Sequence, residues 1–91
     1  MGRRSSLTLL FNVLEVIERG ENKPTRIMYS AKISWKVLRN ALSILIASDF
    51  IREETQKNSK YFICDKGKRA LLYYKRAKVG LENDNILEIF T

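Results

Sequence analysis

Apolar side chains recur at helical spacing from residue 7 to residue 17. Leu7, Leu10, Phe11, Leu14 and Ile17 make one face, and Leu9, Val13 and Val16 make a second. Two stripes predict a helix covered on both sides, one of them by a second copy of the chain. Ser5 or Ser6 caps this helix and Gly20 stands just past its end near Arg19. After the turn GENK, Pro24 suits the first position of a short second helix, PTRIMYSA, with Ile27, Met28 and Ala31 turned inward. Lys32-Ile33 breaks the pattern, and Ser34 caps a third helix over Trp35 to Ser48. Its apolar positions Leu38, Ala41, Leu42 and Leu45 fall at i, i+3, i+4 and i+7, which turns them to the core.

The period then changes. Phe50 to Thr55 alternates loosely, QKNS is a polar turn, and Lys60 to Cys64 is rich in aromatic and β-branched residues. Together they predict a β-hairpin. Asp65 caps a fourth helix, DKGKRALLYYKRAKVGL, with Ala70, Leu71, Tyr74, Ala77 and Leu81 on one side; Gly80 and ENDN bend or end it, and ILEIF adds a further helical turn. The order of three helices, a hairpin and a helix, with a tight connection between the second and third, is that of a winged helix-turn-helix. The fold class is therefore α+β. The chain reads as one domain over 1–91, with a core over 5–79 and a dimerisation tail over 80–91.

The third helix poses a question. Opposite its core stripe it carries Lys36, Asn40, Ser43 and Ala47, with Arg39 beside them. A helix that enters the major groove of DNA needs such a polar, cationic face. Arg and Lys pair with guanine edges or phosphates, Asn bonds adenine in bidentate fashion, and Ser contacts either. The plain alternative is a solvated surface.

Charge weighs against that alternative. The chain holds 17 Lys plus Arg against 10 Asp plus Glu, a net charge of +7. Between Asn22 and Ala47 stand Lys23, Arg26, Lys32, Lys36 and Arg39 and no acid. Between Gln56 and Lys78 there are eight basic residues and one acid, Asp65; from Val79 onward the sign reverses. Basic residues grouped this way supply phosphate contacts. The candidate DNA-binding set is thus the third-helix face, with Ser34 and Trp35 at its start, Arg26 on the second helix, and Lys57, Asn58 and Lys60 in the wing. Trp35 has two readings, an anchor packed on the second helix or a base contact. Lys57 likewise is an ordinary turn residue or a phosphate contact.

Other chemistry finds little support. There is no histidine, no paired carboxylate site, no glycine-rich phosphate loop and no cysteine cluster, since Cys64 stands alone. The expectation is a protein that is not an enzyme, with no metal, cofactor or small-molecule ligand. The start MGRRSSLTLLFNVLEVI imitates a signal peptide, but Asn12 and Glu15 interrupt it and no small-residue cleavage site follows. No apolar run approaches the ~20 residues of a membrane span. A cytoplasmic location is expected, nucleoid-associated, or in the host cytoplasm if the chain is virus-encoded.

The stretch PTRIMYSAKISWKVLRNALSILIASDFI, followed by a short hairpin and DKGKRALLYY, resembles small archaeal winged helix-turn-helix regulators. The likeness covers residues 6 to about 75 and is most specific from 24 to 51. The chain is also similar to the archaeal chromatin proteins of this fold, which dimerise through a long C-terminal antiparallel coiled coil; here Gly80 and ENDN depart from that rod. The resemblance implies binding of double-stranded DNA as a homodimer. Leu9, Val13 and Val16 on the first helix and Tyr74, Ala77 and Leu81 on the last are the candidate dimer contacts. Ile86, Leu87, Ile89 and Phe90 of the tail would add to them. The reading is a sequence-specific transcription regulator. The alternatives are an architectural DNA-binding protein and a winged-helix module that binds protein without DNA.

Overall fold

A computed structural model of the chain describes the backbone of residues 6–82 and the side chains of residues 7–77. The elements are α1 (Ser6–Glu18), α2 (Pro24–Ala31), α3 (Trp35–Ala47), β1 (Ile51–Glu54), β2 (Lys60–Ile63) and α4 (Asp65–Glu82). This is the predicted order. α4 runs through Gly80, where the sequence suggested a bend or an end. The tail residues Ile86, Leu87, Ile89 and Phe90 lie outside the described residues, as does the side chain of Leu81.

Three helices stop in the same way. At the end of α1, Gly20 N–H donates to Ile17 O (3.0 Å) and Glu21 N–H to Val16 O (3.4 Å). At the end of α2, Lys32 N–H donates to Tyr29 O and Ile33 N–H to Met28 O, both at 3.3 Å. At the end of α3, Asp49 N–H donates to Ile46 O and Phe50 N–H to Leu45 O, both at 3.0 Å. Each pair is a Schellman motif, which needs one left-handed residue. Those residues are Gly20 (φ 110°), Lys32 (φ 58°) and Asp49 (φ 63°). The second motif is the tight turn of the helix-turn-helix: it reverses the chain in two residues and folds Ile33 back beside Met28 against the core.

α1 is the centre of the domain. It packs on α2, α3, α4 and β2. Val13, Leu14, Val16 and Ile17 are buried with Ile27 and Ala31 of α2, all four α3 core positions, Ile51 and Tyr61 of the hairpin, and Leu71 of α4. The expected second stripe of α1 is therefore real, but its partner is this same chain. Val13 is 0% exposed and Val16 5% exposed. Neither retains surface for a second copy, so both leave the set of dimer contacts. Leu7, expected inward, is exposed at 58%.

The hairpin is antiparallel, pairing Ile51 with Ile63, Arg52 with Phe62, Glu53 with Tyr61 and Glu54 with Lys60. Asn22 ties its second strand to the loop before α2. Tyr61 N–H donates to Asn22 O (2.9 Å), and Asn22 Nδ2 donates back to Tyr61 O (2.7 Å). The wing is thereby fixed relative to α2. Gly67 seats α4: a Cβ there would collide with the carbonyl oxygen of Phe50 and stand 3.0 Å from Ile63 Cγ1.

Candidate nucleic-acid interface

Ser34 sets where α3 begins. Its hydroxyl accepts the N–H of Val37 at 3.2 Å, satisfying one of the free donors of the first turn. That bond commits the side chain to capping. From this start the helical period turns Leu38, Ala41, Leu42 and Leu45 inward and leaves Lys36, Arg39, Asn40 and Ser43 exposed. These four line one shallow hollow on the outer surface of the helix. The constellation read from the sequence is thus one continuous surface.

The other candidates sort by distance from that hollow. Trp35 is 48% exposed. It does not close into the core; it stands between two clefts. One runs toward the wing tip and is shared with Lys23, Thr25, Asn58 and Ser59. The other runs along the wing side of α3 and is shared with Arg39, Ser43, Glu53 and Tyr61. Lys57, Asn58 and Lys60 line a hollow at the wing itself, with Glu54 and Gln56. Arg26 stands apart. Its guanidinium pairs with Glu21 at 3.1 Å, and it shares a hollow with Lys60 and Phe62, away from the α3 face.

Ion pairing separates the basic residues further. Lys75 joins Glu15 and Glu18 between α4 and α1, Arg19 pairs with Glu15 at the end of α1, and Arg52 pairs with Glu54. Such exposed pairs contribute little stability, but they occupy the charges involved. Among the described residues Lys36, Arg39, Lys57 and Lys60 pair with no carboxylate. The same holds for Lys23, Lys32, Lys66, Lys68, Arg69 and Arg76, so free positive charge includes α3 and the wing and extends to the start of α4.

Two residues at this surface escaped the sequence reading. Glu53 and Tyr61 face each other across the hairpin, and the Tyr61 hydroxyl donates to Glu53 Oε2 at 3.2 Å. Burial first, and then the Glu53 carboxylate, raise the phenol above its ordinary value of 10.0. It stays protonated, a donor, at neutral pH. The alternation of β1 carried the signal: Glu53 shares a face with buried Ile51, two residues before it.

Comparison with known proteins follows the same lines. A family model described as winged helix-turn-helix matches residues 3–80. The chain belongs to the winged helix-turn-helix family. Two relatives are uncharacterised proteins of Methanocaldococcus jannaschii. MJ0290 is 35% identical over 51 residues, which is 56% of this chain and 24% of the relative. MJ0287 is 34% identical over 55 residues, 60% of this chain and 57% of the relative. The chain thus matches about a quarter and just over half of their lengths. Among solved structures, Sso10a-2, a DNA-binding protein from Sulfolobus solfataricus, superposes with a TM-score of 0.70 at 21% identity, covering 97% of this chain and 98% of that one. The multiple antibiotic-resistance repressor MarR from Listeria monocytogenes superposes with a TM-score of 0.61 at 14% identity, covering 90% and 64%. At these identities the likeness concerns the winged-helix fold. Among the described residues no helix is long and apolar enough to cross a membrane.

Proposed function

We propose that this winged-helix protein binds double-stranded DNA as a homodimeric, sequence-specific transcription regulator. α3 enters the major groove, and the wing lies along the backbone. One observation carries the reading: Lys36, Arg39, Asn40 and Ser43 form a single exposed surface whose two cations pair with no carboxylate among the described residues. Cationic side chains grouped on one surface raise the local potential and attract a polyanion. The groups on this surface are those that bond base edges in the major groove. Lys57 and Lys60 then contact phosphates, and Trp35 stands at the junction of groove and backbone. Arg26, held by Glu21, takes at most an outer phosphate.

A second reading is an architectural DNA-binding protein; the end-to-end superposition on Sso10a-2, a DNA-binding protein, supports DNA binding under either reading. The two readings share the interface and differ in sequence preference.

The test is affinity for duplex DNA as salt is varied. The basic residues on this face would make roughly 6–10 phosphate contacts per dimer, which predicts a log–log slope steeper than about −5. Affinity that hardly changes between about 50 and 200 mM salt would reject the electrostatic interface. Selection from a random duplex pool then separates the readings. A defined motif supports a regulator, and an unordered pool supports an architectural role.

A further inference from the structure

The DNA-facing surface contains one charge of the wrong sign. Glu53 projects from β1 into the cleft that runs along the wing side of α3, among Trp35, Arg39, Ser43 and Tyr61. Its neighbour Glu54 is neutralised by Arg52. Glu53 is not: among the described residues it forms no ion pair, and its partner is the neutral Tyr61 hydroxyl at 3.2 Å. Arg39 borders the same cleft without bonding it. Tyr61 is itself buried and anchored through both backbone hydrogen bonds to Asn22. The carboxylate is therefore held by a rigid donor at the rim of a cationic surface.

An unneutralised carboxylate at such a place opposes phosphate. Any docking that runs a backbone through this cleft loses Coulomb energy, whatever the sequence. A repulsive element of this kind weakens all wrong complexes and so sharpens discrimination, provided the right complex relieves it. Base edges offer that relief through exocyclic amines. In the major groove the amine that a carboxylate typically accepts from is N4 of cytosine. None of the other reading residues on α3 supplies a carboxylate, since Lys36 and Arg39 only donate, and Asn40 and Ser43 are neutral.

We propose that Glu53 is a specificity-determining residue of the DNA interface. Its carboxylate, positioned by Tyr61, excludes phosphate from the wing side of α3 and accepts a hydrogen bond from the amino group of a cytosine. This rests on the DNA-binding reading above. It adds a charged acceptor to a face whose own acceptors, the Asn40 amide oxygen and the Ser43 hydroxyl, are neutral.

The experiment selects binding sites from a random duplex pool with the full chain, using wild type, Glu53→Gln and Tyr61→Phe, and measures affinity for a mixed-sequence duplex. Gln keeps an acceptor for the Tyr61 hydroxyl, so the hairpin is preserved; Phe keeps the buried ring. Circular dichroism and melting of each variant establish the fold. For Glu53→Gln the mixed duplex should bind about threefold tighter or more, as one repulsion at close range is lost. A further variant, Glu53→Ala, removes every acceptor, and its selected motif should lose a cytosine at one position of each half-site, a preference of about fivefold or more in the wild type. Tyr61→Phe retains the charge, so mixed-duplex affinity should hold while the cytosine preference falls. A Glu53→Ala motif identical to wild type overturns the cytosine contact, even if affinity rises. Mixed-duplex affinity unchanged in Glu53→Gln overturns the phosphate exclusion. Failure of the wild type to bind any duplex would sink both this inference and the function beneath it, whereas a wild type that selects a motif unaffected by Glu53→Ala sinks the inference alone.

Discussion

Gly20, Lys32 and Asp49 occupy one backbone role, the left-handed residue that closes a Schellman motif, with three different side chains. A non-glycine residue pays roughly 1–2 kcal/mol for that conformation, least where a short polar side chain bonds locally. Nothing lies within 4 Å of a Cβ built on Gly20, so a substitution there tests the backbone alone. Gly20→Ala should cost about 1 kcal/mol, and Asp49→Gly should add up to about 1 kcal/mol. For a domain of this size that is a shift of about 4–8 °C in melting temperature in each direction. Equal melting of Gly20→Ala and wild type would show that α1 does not need this closure. The contrast explains what the residues disclosed. Gly20 marked its helix end because glycine is the usual occupant. Asp49 gave no such sign, because the structure imposes its φ through bonds made by Asp49 and Phe50 rather than through its side chain.

At the scale of elements, the periodic stretches were legible and the contacts between them were not. α2, α3 and both strands stand within a residue or so of their predicted bounds, because capping by Ser34, Pro24 at the start of α2, the 3.6-residue period of α3, and the aromatic and β-branched run of β2 after the polar QKNS turn all agree. The double stripe of α1 was also legible, but not its partner. A stripe says that a surface is covered, not by which chain; Val13 and Val16 are covered by the same domain because α1 is its central helix. Glu53 was missed because its role depends on pairing register across the hairpin, which places it opposite Tyr61. The proposed interface divides the labour between elements, and this is testable. If α3 reads bases, Arg39→Ala or Asn40→Ala should cost about 1–3 kcal/mol on the best site and flatten preference among sequences. If the wing holds phosphates, Lys57→Ala or Lys60→Ala should weaken every sequence about equally and make the salt slope shallower by about 1. Paired binding isotherms on the best site and a scrambled one measure both effects. If Arg39→Ala and Asn40→Ala leave affinity and preference intact, α3 is not the reader.

For the whole molecule, the proposed homodimer needs a surface that holds its two domains together. With Val13 and Val16 withdrawn, the proposed dimer surface shifts to α4 and the near end of α1. Tyr74 is half committed already, its ring stacked on Phe11 at 4.3 Å between centroids and 5° between planes. Ala77 is exposed, Leu9 half-buried, and Leu7, Leu72 and Tyr73 add exposed apolar surface. α4 continues to Glu82, past the glycine that the sequence reading treated as its weak point. It thus extends about one turn beyond Ala77, where Leu81 repeats the stripe of Tyr74 and Ala77. Two such helices packed about a two-fold axis would bury this stripe against its mate. The same axis would set two α3 helices about 34 Å apart, one turn of duplex, and so predicts a palindromic site. The expected species is a dimer at micromolar concentration, twice the 10.6 kDa of the chain. Ala77→Glu with Leu81→Glu tests it without breaking the helix, since glutamate is a good helix former. The double variant should sediment as a monomer, keep the melting behaviour of the winged core, and bind DNA far more weakly than wild type, because each half-site is then held alone. A DNA-free wild type that sediments at 10.6 kDa, at concentrations where a palindromic duplex is saturated at one copy per half-site, would show that the domains act separately.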